Sequence, residues 1–201
     1  MKPKDKENTI RRYEERFRKF GVSVKTMGWR DKSQQNLRFT VLSGIGDLNL
    51  KTVLDVGCGF GDLYGYLAKS ARKVKYTGYD ISPKIIRAAE KRFPGASFEI
   101  KDILEERVQE RFDYVFSSGV FNHRISENLT FTKRMIKKMF EISKKGLAFN
   151  MMTDYVDFRE RRLFYYSPEG IFKFAKNLSR YVILRHDYPL YEFTIYVYKE
   201  K

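Results

Sequence analysis

Cysteine is almost missing from this chain: one of its 201 residues, Cys58, carries a thiol. No internal disulfide can form, so a reducing compartment and a cytoplasmic location are expected. Histidine is nearly as scarce, with only His123 and His186. No group of Cys, His, Asp and Glu has metal-ligand spacing, so no metal is expected. No apolar run approaches the ~20 residues of a membrane-spanning helix, and no membrane partner is expected. The charged opening Met1-Lys2-Pro3-Lys4-Asp5-Lys6 has no apolar region behind it, so no secretory signal is expected. No Ser-His-acid triad, internal repeat or low-complexity linker is readable.

Acidic residues are outnumbered, 25 Asp and Glu against 40 Lys and Arg, for a formal charge of +15. That field favours anionic partners, nucleic acid among them. The basic residues are spread along the chain and interleaved with acids, so a solvated Lys-rich surface explains them equally simply. With 32% charged and 42% hydrophobic residues the composition is globular. The length fits one domain over residues 1–201, with residues 1–48 as a helical extension or cap.

What is present in concentrated form lies between Thr52 and Leu63. Val53, Leu54 and Val56 read as a short buried strand. Gly57, Gly59 and Gly61 follow in alternation, a loop whose backbone a ligand can approach closely. Leu63 and Leu67 then share a helical face. Strand, glycine loop and helix start together form a nucleotide site. The dinucleotide fingerprint is G-x-G-x-x-G and faces a pyrophosphate. Here the spacing is G-x-G-x-G, with Asp55 before it and Asp62 after it. Two carboxylates repel a pyrophosphate and suit a ligand with positive charge and no phosphate. Asp80 ends the next strand-like run, where a doubly wound fold places the acid that holds ribose hydroxyls.

At these residues the chain resembles the class I S-adenosylmethionine-dependent methyltransferases. Asp55-Val56-Gly57-Cys58-Gly59-Phe60-Gly61 matches the family's first motif, Asp80-Ile81-Ser82 the acidic position after the second strand, and Lys101-Asp102-Ile103 that after the third. The match is good over roughly residues 50 to 150. It implies an α/β fold: a three-layer αβα Rossmann-like architecture, with a mostly parallel seven-stranded sheet whose last strand is antiparallel. It also implies S-adenosyl-L-methionine as cofactor, held by Asp55, Gly57, Cys58, Gly59, Gly61, Asp80, Ile81 and Ser118. Asp102 would accept from the adenine amino group, with Ile103 near the ring. A helix before the first strand closes over the methionine end in similar enzymes, and Arg38 is placed to pair with the cofactor's carboxylate.

Around this core, Thr9 to Phe20 is expected as an amphipathic helix, either a basic arm over a substrate or a helix packed on the domain edge. Gly21 to Lys32 reads as a loop around the only tryptophan, Trp29, an anchor or a lid. Ser33 is the expected N-cap of a helix striped by Leu37, Val41, Leu42 and Ile45. Strands are expected at 75–80, 97–101, 112–117, 146–152, 180–187 and 191–199. Helices are expected to start at Ser82-Pro83 and Ser167-Pro168, with another over 127–143 carrying Leu129, Ile136, Met139, Phe140 and Ile142 on its apolar face. The aromatic segment 153–166 is a plausible substrate wall or a packed loop.

Ser118-Gly119-Val120-Phe121-Asn122-His123 should face the transferable methyl. It departs from the Asn/Asp-Pro-Pro-Tyr/Phe of methyltransferases that modify nucleobase amines or protein glutamine. His123 is the candidate catalytic base, since an imidazole titrates near neutrality. The expected activity is in-line methyl transfer to an unidentified acceptor, a small molecule being favoured. RNA or protein as acceptor, and a non-catalytic cofactor-binding module, are the alternatives.

Overall fold

The computed structural model describes residues 1–70 and 73–200. In chain order the elements are α1 (Pro3–Phe20), α2 (Lys32–Ser43), β1 (Thr52–Val56), α3 (Asp62–Ser70), β2 (Lys75–Asp80), α4 (Pro83–Arg92), β3 (Ser97–Ile100), β4 (Phe112–Ser117), α5 (Asn128–Ile142), β5 (Ser143–Met152), α6 (Pro168–Lys176), β6 (Val182–Arg185) and β7 (Glu192–Tyr198). The strands form one seven-stranded sheet ordered β3-β2-β1-β4-β5-β7-β6. All neighbouring pairs are parallel except the two that β7 makes, with β5 and with β6. The expected antiparallel last strand is therefore present.

Alternation of side chains along the strands divides the core into two layers. Leu54 and Val56 of β1 join Leu147, Phe149 and Met151 of β5 and Phe193, Ile195 and Val197 of β7 on one face, beneath α5 and α6. Val53, Ala148 and Tyr196 face the other way, onto Phe39 and Leu42 of α2, Leu63 and Leu67 of α3, and Ile86 and Ala89 of α4. Both faces of the sheet are covered, which is the three-layer αβα arrangement.

Element starts follow capping chemistry. Ser82 and Ser167 cap α4 and α6, each accepting from the backbone N–H three residues on and followed by Pro. Asp31, rather than Ser33, caps α2: its carboxylate accepts from Gln34 N at 2.9 Å. A carboxylate at that position also complements the helix dipole. α1 begins at Pro3, two turns before the expected Thr9, with Pro in its first turn and Asp5 at its positive end. Leu129, expected on the apolar face of α5, is 51% exposed. It lies in the first turn of α5, beside Asn128, whose amide is instead buried and donates to the carbonyl of His123.

Order reverses at β1, which is flanked by β2 on one side and β4 on the other. In open α/β sheets a crevice forms outside the carboxyl ends of the strands at such a switch point. The loops after β1, β2, β3 and β4 all open there.

Candidate active site

A cavity lies at that switch point. Its walls include Asp55, Gly57, Cys58 and Gly59 from the β1 side, Asp80, Ile81 and Ser82 after β2, Asp102 and Ile103 after β3, and Ser118, Val120 and His123 after β4. Ten of the expected site residues thus meet in one place. Gly61 and Arg38 are not on the walls.

Gly57 (φ 77°) and Gly59 (φ 55°) occupy the left-handed region. A Cβ on Gly57 would lie 2.2 Å from Val120 Cγ2, and one on Gly59 2.8 Å from Met27 Sδ. Gly61 (φ 72°) is a glycine for another reason: a Cβ there would lie 2.7 Å from Phe98 Cζ and 3.1 Å from Phe93 Cδ2. It lets α3 start against two core aromatics, and its expected contact with the ligand is replaced by this packing.

The loop's own N–H groups turn inward. Gly57 N and Cys58 N both donate to Tyr79 O, at 2.7 and 3.0 Å, and Gly61 N donates to Cys58 O at 3.0 Å. Gly59 N donates to Asp80 Oδ2 at 3.1 Å. Instead of facing a nucleotide, Gly57 N, Cys58 N and Gly59 N hold the loop to β2, and Gly61 N closes the loop on itself. An anion cradle of free N–H groups is absent among these four, which suits a nucleoside without phosphate.

Asp80 accepts from Gly59 N and, through Oδ1, from Ser82 N at 3.0 Å. Burial raises its pKa, and the backbone N–H groups oppose the rise. Asp55 is 3% exposed and accepts from the Tyr76 hydroxyl at 2.7 Å. Burial pushes its pKa up to about 7, against the Tyr76 hydrogen bond and with help from the charges of Asp80 and Asp62. Between the ordinary carboxyl pKa and about 7 the folded protein holds a proton that the unfolded chain has lost. Stability therefore falls as pH rises through that window. The fall attributable to Asp55 is on the order of 4 kcal/mol, from a shift of about three units. Chemical denaturation of Asp55→Asn at pH 4, 5.5 and 7 should show a flatter profile than wild type. A parallel profile would place the proton elsewhere.

Asp62 departs from its expected role. Its Oδ1 accepts from Lys32 Nζ and Arg92 Nη1, both at 3.0 Å, and its Oδ2 from Gln35 Nε2 at 3.2 Å. Burial works against the charge, but Arg92 and Lys32 outweigh it and hold the carboxyl below its usual range. The charge is compensated within the protein by Lys32 and Arg92.

Arg38 and Glu192 form a buried pair, their side chains 7% and 2% exposed. Arg38 Nε reaches Glu192 Oε2 at 2.8 Å and Oε1 at 3.0 Å, and Nη2 reaches Oε1 at 2.7 Å. The guanidinium also lies 4.1 Å from the centroid of the Trp29 ring. Trp29 in turn packs on the β4 loop: a Cβ on Gly119 would be 2.7 Å from its Cη2. The expected partnership of Arg38 with a ligand carboxylate gives way to this one, because Glu192 occupies two of its three nitrogens. Nη1 is buried without a partner among the described residues. Sequence alone could not pair residues 154 positions apart, and Glu192 lies there near the start of the expected strand 191–199.

His123 lies on the cavity wall with its Nδ1 2.7 Å from Arg12 Nη1. Arginine only donates, so Nδ1 accepts and Nε2 carries the hydrogen. Burial, then the Arg12 and Arg162 charges, push the imidazole down to about 4. In place of the expected titration near neutrality, burial and the Arg12 charge favour the neutral ring, and its Nδ1 lone pair is committed to Arg12. Cys58 is buried, and burial raises its thiol well above the usual value, so it is a filler under the loop.

Thr9, Ile10 and Tyr13 of α1, with Met1 before it and Met27 and Trp29 of the following segment, form a further wall. α1, expected either as a basic arm over a substrate or as a helix packed on the domain edge, thus contributes to the cavity wall. No group of three or more His, Cys, Asp or Glu among the described residues could hold a metal ion, and no described helix is long and apolar enough to cross a membrane.

A family model for a methyltransferase domain matches residues 48–187. A putative methyltransferase of Mycobacterium tuberculosis, Rv1506c, is 37% identical over 155 residues, covering 74% of this chain and 93% of that protein. This chain belongs to the class I S-adenosylmethionine-dependent methyltransferases. The methyltransferase superposes with a TM-score of 0.70 on magnesium protoporphyrin IX methyltransferase (ChlM) from Synechocystis PCC 6803 with bound SAH, at 17% identity and covering 98% of this chain and all of that one. At that identity the likeness carries the fold. A more distant relative, the ribosomal RNA small subunit methyltransferase C of Yersinia pestis (strain Pestoides F), is 30% identical over 122 residues, 58% of this chain. The methyltransferase spans about a third of that protein's length, 35%.

Proposed function

We propose that this methyltransferase acts on a small molecule enclosed in the switch-point cavity. S-adenosylmethionine supplies an electrophilic methyl group. The residues on the walls fit it: an acid at the ribose position, Asp80, a second buried acid, Asp55, and a glycine loop with no free anion cradle. In this reading Asp80 holds the ribose hydroxyls, Asp102 and Ile103 the adenine, and Asp55 with the Gly57–Gly59 backbone the amino-acid end. Ser118 and Gly119 border the methyl. Alignment of the acceptor with the methyl carbon is then the main catalytic task. A proton acceptor of pKa about 4 is a weak base at neutral pH, so His123 positions the β4 loop and α1 rather than removing a proton.

The observation that carries the small-molecule reading is α1 lying over the cavity. Among the described residues the walls carry four acids, of which Asp62 is paired with Lys32 and Arg92 and Asp102 with Lys6, and the side chain of Lys101, which is paired with Glu99 at 2.7 Å. The basic residues that give the +15 charge are otherwise not on the walls. That charge keeps RNA as the second reading, which the ribosomal RNA relative also favours.

Transfer of labelled methyl from S-adenosylmethionine should appear in the small-molecule fraction of a cell extract. Label in RNA or protein, with none in that fraction, would reverse the choice.

A further inference from the structure

We infer that the acceptor presents an oxyanion to the methyl group, that the hydroxyl of Ser118 donates to it, and that Asn150 is the positioning residue that reserves this hydroxyl for the task; this rests on the reading that the cavity encloses a small-molecule acceptor beside S-adenosylmethionine. Asn150 lies in β5, in the run Leu147-Ala148-Phe149-Asn150-Met151, where every residue has 0% exposure. A polar side chain in such a run is costly unless it is hydrogen-bonded. Its Oδ1 accepts from Gly119 N at 3.0 Å, and its Nδ2 donates to Ser118 Oγ at 3.2 Å. Ser117 of β4 pairs with Phe149, so the next residue of β5 meets the loop that leaves β4. Ser118 and Gly119 both stand on the cavity wall.

The direction of these bonds is fixed by chemistry. A backbone N–H only donates, so the atom of Asn150 that faces Gly119 N is the oxygen, and the atom that faces Ser118 is the amide nitrogen. That nitrogen only donates in turn, so Ser118 Oγ accepts. The proton of the hydroxyl is left over, with no acceptor among the described residues, on a half-buried side chain at the wall. A sulfonium is cationic and offers that proton nothing. The acceptor atom must therefore hold one lone pair toward the methyl and another toward Ser118. A neutral amine has a single lone pair, and sulfur is a weak hydrogen-bond acceptor. An oxygen has lone pairs to spare.

The charge of that oxygen follows from the lack of a base. His123 is a weak base with its Nδ1 committed to Arg12, and Asp55 and Asp80 are assigned to the cofactor. An oxygen acid that has already lost its proton at neutral pH, a carboxylic acid or an acidic phenol or enol, needs none. The field on this side of the cavity suits an anion: after burial, the charges of Arg12, Arg162 and Arg16 are what hold the His123 imidazole down. Transfer then balances by itself. An oxygen lone pair forms the O–CH3 bond, the C–S pair stays on sulfur, and the charges of oxyanion and sulfonium cancel with no proton released.

The test supplies S-adenosylmethionine with a carbon-13 methyl group to the protein and a small-molecule extract. The carbon shift of the product distinguishes O-methyl from N-, S- and C-methyl. O-methyl is expected; a methyl on any other atom overturns the oxyanion and leaves the small-molecule reading standing, whereas no small-molecule product at all sinks both. Ser118→Ala should slow transfer at saturating S-adenosylmethionine roughly tenfold, the worth of one charged hydrogen bond. Asn150→Asp, at alkaline pH where the new carboxyl is ionised, still accepts from Gly119 N but draws the Ser118 proton away from the cavity, so it should slow transfer to a similar degree. The double variant should be no slower than Ser118→Ala, since Asn150 acts through that proton. Additive losses would reduce Asn150 to a loop support and overturn its role. A tenfold loss of S-adenosylhomocysteine affinity by calorimetry in Ser118→Ala, with transfer at saturation unchanged, would assign the hydroxyl to the cofactor and overturn the whole. Should Asn150→Asp fail to fold, Ser118→Ala and the product spectrum decide.

Discussion

Glu192→Ala is expected to remove about 3–5 kcal/mol of folding stability, the usual cost of stranding one partner of a buried ion pair. Arg38 would keep its charge, because a guanidinium does not lose its proton in proteins. With Glu192 truncated, the two nitrogens it now satisfies would join Nη1 as buried donors without partners. The loss would spread to Trp29, stacked on that guanidinium, and hence to the β4 loop it packs against. Urea denaturation followed by circular dichroism measures the total, and the single tryptophan reports the local part. The double variant Arg38→Met, Glu192→Leu is the informative companion. It removes both charges at similar volume and should recover most of the stability. If Glu192→Ala costs less than about 1 kcal/mol, the value typical of a surface pair, then water reaches Arg38 in solution.

Asp80→Ala should weaken S-adenosylmethionine binding by about 1–3 kcal/mol, from the loss of charged hydrogen bonds that leaves partners unmatched. The same carboxylate accepts from Gly59 N and Ser82 N, so it also joins the glycine loop to the start of α4. Asp80→Asn separates these tasks. An amide oxygen can still take one loop N–H, but the charge and the second acceptor oxygen are gone. Calorimetry should rank wild type above Asp80→Asn and Asp80→Asn above Asp80→Ala. Equal affinity for all three would place the ribose elsewhere in the cavity.

The central strands and the order of acids were legible in the sequence because each depends on local chemistry. The apolar run Val53, Leu54 and Val56 marked β1, a Ser-Pro pair opened α4, and an acid ended β2 at its expected position. The same local reading failed wherever a distant partner decides. Asp62 looked like a second repelling acid until Lys32 and Arg92 were brought to it by folding. Arg38 looked free because Glu192 is far along the chain. Gly61 looked like part of the ligand loop, but its neighbours are Phe98 and Phe93 from β3 and the end of α4. His123 looked titratable because neither its burial nor the helix carrying Arg12 is visible in its own neighbourhood. α1 was recognisable as amphipathic, yet its contacts with four separate loops exist only once the sheet has assembled them.

The placement of β7 between β5 and β6 has a bearing on how this protein is made. As the chain leaves the ribosome, β1 to β5 and their helices can emerge in turn, each beside a strand already present. The sheet nevertheless keeps a raw edge at β5, since its neighbour β7 follows β6 in the chain. Glu192 arrives with that strand, and so does Tyr196, whose hydroxyl donates to the carbonyl of Val41 in α2. α2 therefore waits until β7 has emerged, 154 residues after Arg38, before its buried arginine is neutralised.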